Sequence, residues 1–173
     1  MTSGAPAPGA NMKILSFDHV GIVVRSLPDA VRLYIDVLGG EFVHGADDDD
    51  RGMRTIQLML GGRRLELLTP VTPECHLHHF LDRFGEGFHH MTLLVPDVEQ
   101  AAAELTGLGY EVVDPNLTDP EWREVYIRPR SGFGTLIQLA ETVHDWNRPR
   151  GTETLEDVLA GRVHWDGQRT VVR

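Results

Sequence analysis

The chain has 173 residues, of which 41% are hydrophobic and 24% are charged. This length is enough to bury a sizeable core in one domain or in two small ones. Its net charge of -10 argues against a nucleic-acid partner, which needs clustered Lys and Arg, and leaves no basic patch for an anionic membrane. No apolar run approaches the roughly 20 residues that span a bilayer. The single Cys75 fits a reducing environment, and we predict a cytoplasmic location.

Residues 1–13 are small and rich in Pro and Gly, and they predict a flexible arm rather than a signal peptide. Residues 14–70 then predict a strand, a helix and three further strands. The helix is expected to start near Pro28 and to stop at Gly39-Gly40, and the last two strands are joined by a tight turn at Gly61-Gly62. The predicted apolar face of the helix consists of Ala30, Val31, Leu33, Tyr34, Val37 and Leu38.

The same order of elements recurs later in the chain. Residues 71–86 predict a linker and a short helix, and residues 87–142 again predict a strand, a helix and three strands. Residues 143–173 lie outside this repeat and predict a capped helix and a hairpin, either a packing extension, a lid or a dimer contact. The predicted fold class is therefore α+β, with two tandem βαβββ modules forming a cupped mixed sheet and a C-terminal helix and hairpin extension.

Each module has a His at the start of its first strand and a polar residue in its last strand. The two histidines are His19 and His90, and the last strands carry Glu66 and Gln138. The separations are nearly equal, with 47 positions from His19 to Glu66 and 48 from His90 to Gln138. Because curved sheets from two modules can bring all four side chains inward, these residues predict a metal site inside the cupped sheet. His89 follows the alternation of the strand and is expected to face away.

Two imidazoles, one carboxylate and one amide oxygen suit one divalent ion per chain, with Co, Mn, Ni, Zn, Mg and Fe all possible. The set carries one negative charge, so a divalent ion leaves the site cationic and able to hold an enolate. Taken singly, each residue is more often structural or exposed, so the prediction depends on the duplicated spacing. A second His-rich tract at His76, His78 and His79 is predicted to be helix surface, because no partners with ligand spacing accompany it.

The flanking motifs are Asp-His-Val-Gly-Ile-Val-Val, Leu-Glu-Leu-Leu-Thr-Pro, Gly-Glu-Gly-Phe-His-His-Met and Gly-Thr-Leu-Ile-Gln-Leu. In them the sequence resembles the vicinal oxygen chelate superfamily (glyoxalase, bleomycin-resistance and dioxygenase proteins), and most closely its methylmalonyl-CoA epimerase-like members, over residues 16–142. The resemblance implies paired modules, a metal held by His19, Glu66, His90 and Gln138, and chemistry through a metal-bound enolate. It also implies a catalytic base at Asp50. Glu66 is predicted to be a catalytic residue as well as a metal ligand.

Two positions depart from the epimerase pattern. Gln138 lies where those epimerases usually carry Glu, and an amide cannot accept a proton at neutral pH. Asp50 is one methylene shorter than Glu, and it belongs to a run of four Asp residues that is typical of a solvated loop. A one-base isomerisation or a lyase step on a small carbonyl or acyl-thioester substrate is therefore predicted alongside two-base epimerisation.

Two other function classes stay open. A non-haem iron dioxygenase needs two His and one carboxylate, although dioxygenases of the superfamily normally carry that carboxylate in the last strand of the second module. A metal-free small-molecule binding or resistance protein would usually lack the ligand set. Trp122, Tyr126 and Arg128 lie beside the loop of the second module and are predicted to contact an anionic substrate. We further predict a homodimer.

Overall fold

The structure, a computed structural model, describes residues 12–173, so nearly all of the predicted arm at 1–13 lies outside the described residues. The order strand, helix and three strands occurs twice, which confirms the two βαβββ modules and the α+β class. In chain order the elements are β1 (Ser16–Val23), α1 (Leu27–Val31), β2 (Glu41–Asp48), β3 (Met53–Leu60), β4 (Arg63–Pro70), α2 (Leu77–Phe84), β5 (Gly87–Leu94), α3 (Val98–Gly107), β6 (Val112–Asn116), β7 (Trp122–Ile127), β8 (Leu136–Thr142), α4 (Leu155–Leu159), β9 (Val163–Asp166) and β10 (Arg169–Val172).

The chain divides into two compact units. The large unit comprises Asp18–Thr92 and Val143–Arg173, and the small unit comprises residues 12–17 and Leu93–Thr142. Strands of the large unit follow the order β10-β9-β2-β3-β4-β1, and those of the small unit follow the order β8-β7-β6. Because β1 pairs with β4 in parallel whereas β3 pairs with both β2 and β4 in antiparallel fashion, the sheet of the large unit is mixed, as predicted.

The sheet of the large unit has an apolar face and a polar face. Leu65 and Leu67 on β4 belong to a buried cluster that α1 and α4 also line. Alternate residues of a strand point to opposite faces, so Arg64 and Glu66 of the same strand lie on the other face. The first face forms the hydrophobic core, and the second is available for the site.

The first helix differs from its prediction. It is α-helical over Leu27–Val31 and continues as a π-helical segment over Arg32–Val37. A π-helix bonds residue i to i+5 and has more residues per turn, so later side chains rotate out of the α-helical phase. Ala30 and Val31 are buried as predicted, but most of the other residues of the predicted apolar face are exposed, so the prediction is wrong for them. The exposed members of that face are Leu33, Val37 and Leu38.

The C-terminal extension is part of the large unit and packs against its sheet. Thr154 and Asp157 form a capping box at the start of α4, and β9 and β10 form the predicted hairpin. On β3, Arg54 makes two hydrogen bonds to the Asp47 carboxylate and a third, of 3.0 Å, to the Leu159 carbonyl oxygen. This arginine therefore holds the end of α4 against the sheet. Within residues 12–173, every helix is too short or too polar to cross a membrane.

Candidate metal centre

Three of the predicted ligands lie together in the large unit. The Nε2 atoms of His19 and His90 are 3.3 Å apart, and they lie 3.6 and 3.5 Å from Glu66 Oε2. The centre of such a triangle is about 2 Å from each corner, which is the usual distance from zinc to a nitrogen or carboxylate ligand. These three side chains therefore fit one divalent ion.

The backbone explains why these side chains meet. In the parallel pair of β1 and β4, Gly21 lies opposite Glu66, and His19 is on the same face of β1 two residues earlier. The ring of His90 occupies the space over Gly21, where a Cβ would lie only 2.2 Å from its Cε1 atom. Glycine at position 21 thus leaves room for the ring of His90, the third predicted ligand.

A second layer of polar groups orients the predicted ligands. The Asp18 carboxylate lies 2.7 Å from His19 Nδ1, and because a carboxylate only accepts, Nδ1 carries the proton and Nε2 can offer its lone pair. Arg64 pairs with the same carboxylate. On the other side, Gln57 Nε2 donates to Glu66 Oε1 at 2.7 Å, leaving Oε2 directed at the two histidines. This layer was not predicted from the sequence, although Gln57 is a polar residue between the apolar Ile56 and Leu58.

The surroundings of His90 and Glu66 shift the pKa of each side chain. Burial lowers the pKa of His90 to about 3, only partly offset by the charge of Glu66. Burial opposes the ionisation of Glu66 itself, but its interaction with His19 and the charges of His90 and Arg64 lower its pKa to about 2. At neutral pH, His90 is therefore neutral and Glu66 is ionised. The neighbouring His89 packs against Phe80, with ring centroids 4.9 Å apart.

The fourth predicted ligand, Gln138, lies in the small unit on β8. Its Nε2 donates to Glu124 Oε2 at 2.5 Å and to the Tyr126 hydroxyl at 3.1 Å, both on β7. Trp122 Nε1 donates to the same Glu124 oxygen at 2.6 Å. These hydrogen bonds orient the side-chain amide of Gln138. Its nitrogen faces β7, and its oxygen points away from β7. Arg128 is exposed just beyond β7, with Nη1 3.9 Å from a carboxylate oxygen of Glu111.

The remaining predicted residues are on the surface. Asp50 is exposed in the turn between β2 and β3. Others of its acidic run have structural partners, since Asp47 pairs with Arg54 and Asp49 lies 3.0 Å from His164 Nδ1. The second His-rich tract is exposed at the start of α2, which confirms the predicted helix surface. Its members are His76, His78 and His79.

Comparison with known proteins gives relatives of the same kind. The sequence model described as "Glyoxalase/Bleomycin resistance protein/Dioxygenase superfamily" matches residues 18–126. The protein YqjC of Bacillus subtilis (strain 168), which is described as uncharacterized, is 30% identical over 130 residues, 74% of this chain and 93% of that protein. The structure of methylmalonyl-CoA epimerase from Mycobacterium tuberculosis superposes with a TM-score of 0.69 at 28% identity, covering 82% of this chain and 97% of that one.

A ligand-bound relative also matches. A single-residue variant of the methylmalonyl-CoA epimerase of Streptomyces coelicolor, in complex with 2-nitronate-propionyl-CoA, superposes with a TM-score of 0.68 at 26% identity. The match covers 76% of this chain and 100% of that one. The family model and the structural comparisons thus both find relatives within one superfamily.

Proposed function

The chain belongs to the glyoxalase/bleomycin resistance protein/dioxygenase superfamily, and on that premise we propose that it is a divalent-metal-dependent isomerase or epimerase. Its proposed reaction is at the carbon beside the carbonyl of an acyl thioester. The observation that carries this proposal is the triangle of His19, Glu66 and His90, whose facing atoms are 3.3 to 3.6 Å apart. Its relatives of known activity among the structures described above are methylmalonyl-CoA epimerases, one of them bound to a propionyl-CoA analogue.

The residues of the chain divide into ligands and proton-transfer groups. His19, Glu66 and His90 would hold the ion, and we propose Gln138 as its fourth ligand. The ion would supply a Lewis acid that polarises a carbonyl oxygen and so makes the neighbouring C–H bond more acidic. Asp18 and Gln57 keep an imidazole and a carboxylate in place before substrate arrives, which limits the rearrangement that binding requires.

Proton transfer is proposed to use a single carboxylate base. Asp50 lies exposed in the turn between β2 and β3 and is the proposed base, because an amide at position 138 cannot take up a proton. One base can remove a proton and return it on the same face, which supports an isomerisation or a lyase step more than a two-base epimerisation. In the small unit, Trp122, Tyr126 and Arg128 are proposed to contact an anionic part of the substrate.

Metal content and proton exchange test this function. The purified protein should hold about one divalent ion per chain by mass spectrometry of the metal, and His90→Ala should lose it. The matched control is His78→Ala, on the exposed surface of α2, which should keep the ion. The loaded protein should exchange the α-proton of methylmalonyl-CoA in D₂O. A metal-free protein with full exchange activity would contradict the proposal.

A dioxygenase is the second candidate, because two histidines and one glutamate already form a complete 2-His-1-carboxylate set within the large unit. Oxygen consumption by the iron-loaded protein with a panel of catechols distinguishes this candidate. Uptake above that of His90→Ala would favour it over the isomerase.

A further inference from the structure

A row of polar side chains crosses the sheet of the large unit on the face that carries Glu66. His44 on β2 is paired with Gln57 on β3, which is paired with Glu66 on β4. Residues directly opposite each other in a sheet project to the same face, and their Cβ atoms are roughly 5 Å apart. The tips of His44 and Gln57 can therefore reach the same atom of a bound molecule.

Both residues have buried polar atoms that the protein leaves unpaired. His44 is 1% exposed and Gln57 is 6% exposed. Within residues 12–173, no group makes a well-formed hydrogen bond to Gln57 Oε1 or to either ring nitrogen of His44. The backbone of Trp146 interacts with the His44 ring and raises the pKa of His44, against the larger opposite effect of burial. Unpaired buried polar atoms are costly, so such a pair points to a ligand that completes their hydrogen bonds.

The C-terminal extension covers this pair. The ring of His44 lies 5.7 Å from that of Trp146 and 5.8 Å from that of Trp165, and Arg150 stacks over Trp146 at 4.8 Å. Residues 143–150 form turns and bends rather than a helix or strand, so Trp146 can move without breaking a regular element. The extension therefore contributes to the polar face as well as to the packing of α4.

The chemistry of the two side chains selects the ligand. Gln57 Nε2 is bonded to Glu66, so its unpaired oxygen needs a donor. Burial lowers the pKa of His44 to about 4, so the ring is neutral and offers one donor and one acceptor. A carboxylate has no proton to donate, and an ammonium group has no lone pair with which to accept a hydrogen bond from the imidazole N–H. A hydroxyl group both donates and accepts at little desolvation cost.

We propose that His44 and Gln57 form a subsite that binds a hydroxyl group of the substrate, with Trp146 as its movable cover. This inference rests on the proposed function, because it assumes that the carbonyl end of the substrate lies at the metal centre. Strands are about 4.8 Å apart, so a point between Gln57 and His44 is roughly 7 Å from the strand of Glu66. The substrate class is therefore an acyl compound with a hydroxyl four or five atoms from its carbonyl carbon.

Matched carboxylic acids test this subsite. The probes are butyrate, 4-hydroxybutyrate and 4-aminobutyrate, with pentanoate and 5-hydroxypentanoate as the longer pair. Their dissociation constants are measured by calorimetry on the zinc-loaded protein, and the His44 ring signals are followed by NMR in the loaded and metal-free forms. One hydroxy acid should bind about tenfold tighter than its parent acid and should shift the His44 signals.

Variants separate recognition from folding. His44→Phe keeps an aromatic ring between the two tryptophans, so it should fold, bind the parent acid as before and lose the tenfold advantage. The control is His78→Phe, which should keep that advantage. The NMR shifts of the unmutated protein provide a measurement that needs no variant.

Each outcome decides between the two proposals. Equal binding of every hydroxy acid and its parent, with no shift of His44, would overturn the subsite and leave the unpaired atoms to bound water. Tighter binding of 4-aminobutyrate would overturn the hydroxyl assignment. If the protein holds no metal and a hydroxy acid still shifts His44, the proposed function fails and the subsite stands. If the protein binds metal and the parent acids but shows no preference for a hydroxy acid, the subsite fails and the proposed function stands.

Discussion

Replacement of Gly21 by alanine should disable the metal centre and leave the fold intact. The new Cβ would lie 2.2 Å from Cε1 and 2.5 Å from Nδ1 of His90, where ordinary contacts start at 3.4 Å, so the ring must retreat by about 1.2 Å. Ligand distances tolerate only about 0.2 Å. Removing a hydrogen-bond partner of a metal ligand typically lowers metal affinity about 10- to 100-fold. The affinity for zinc should fall at least as far here, which corresponds to about 1.4 to 2.7 kcal/mol.

The assay is a calorimetric zinc titration of the purified protein and two variants. The control is Gly107→Ala at the end of α3, where a Cβ would meet nothing within 4 Å and the affinity should not change. Thermal unfolding of metal-free Gly21→Ala should stay close to that of the unmutated protein, because the atoms it displaces are those of a side chain that can rotate. Zinc binding by folded Gly21→Ala at the original affinity would refute the assignment of His90 as a ligand held over Gly21.

Two further predictions follow from the polar groups around the site. Asp18→Asn should weaken zinc binding about tenfold, because an amide is a poorer hydrogen-bond partner than a carboxylate for His19 Nδ1. The control, Asp36→Asn at an exposed position, should leave zinc binding unchanged. Equal zinc affinities of Asp18→Asn and the unmutated protein would show that Asp18 serves only to pair with Arg64. Burial lowers the pKa of His44 from 6.5 to about 4, so the unfolded chain binds more protons in that range and stability falls as the pH drops from 6.5 to 4. In denaturant titrations, His44→Phe should lack this loss of about 3 kcal/mol and be at least as stable at pH 7, and an unchanged pH dependence would show that His44 is accessible to protons in the folded state.

The modules and the grouping of three polar side chains in the large unit could be predicted because they leave repeated signals in the sequence. Alternating apolar residues define the strands, and paired separations select His19, Glu66 and His90 from the other histidines and acids. The first helix was predicted less well, since a π-helical segment has no distinct composition and shifts only the phase. Leu33 and Val37 consequently lie outside the core.

The outer layer could not be predicted, because it depends on contacts between distant positions. Asp18, Gln57 and Arg64 acquire their roles only through the register of β1, β3 and β4. His44 is covered by Trp146, about 100 residues later in the chain, and no local sequence pattern predicts that contact. Glu124 likewise has the appearance of an ordinary strand residue until Gln138 and Trp122 are seen to bond to it.

The turn between β3 and β4 has a consequence for how this protein can change over evolution. Gly61 and Gly62 both have positive φ, of 59° and 77°, as a two-residue type I′ turn requires, and this turn fixes the pairing of Gln57 with Glu66. A single inserted residue that shifted β4 by one position would turn Leu65 and Leu67 toward the face of His19 and His90, and Glu66 into the core. Length changes there are therefore expected to be selected against even though the turn itself is exposed, and lineages should vary this surface by substitution rather than by insertion.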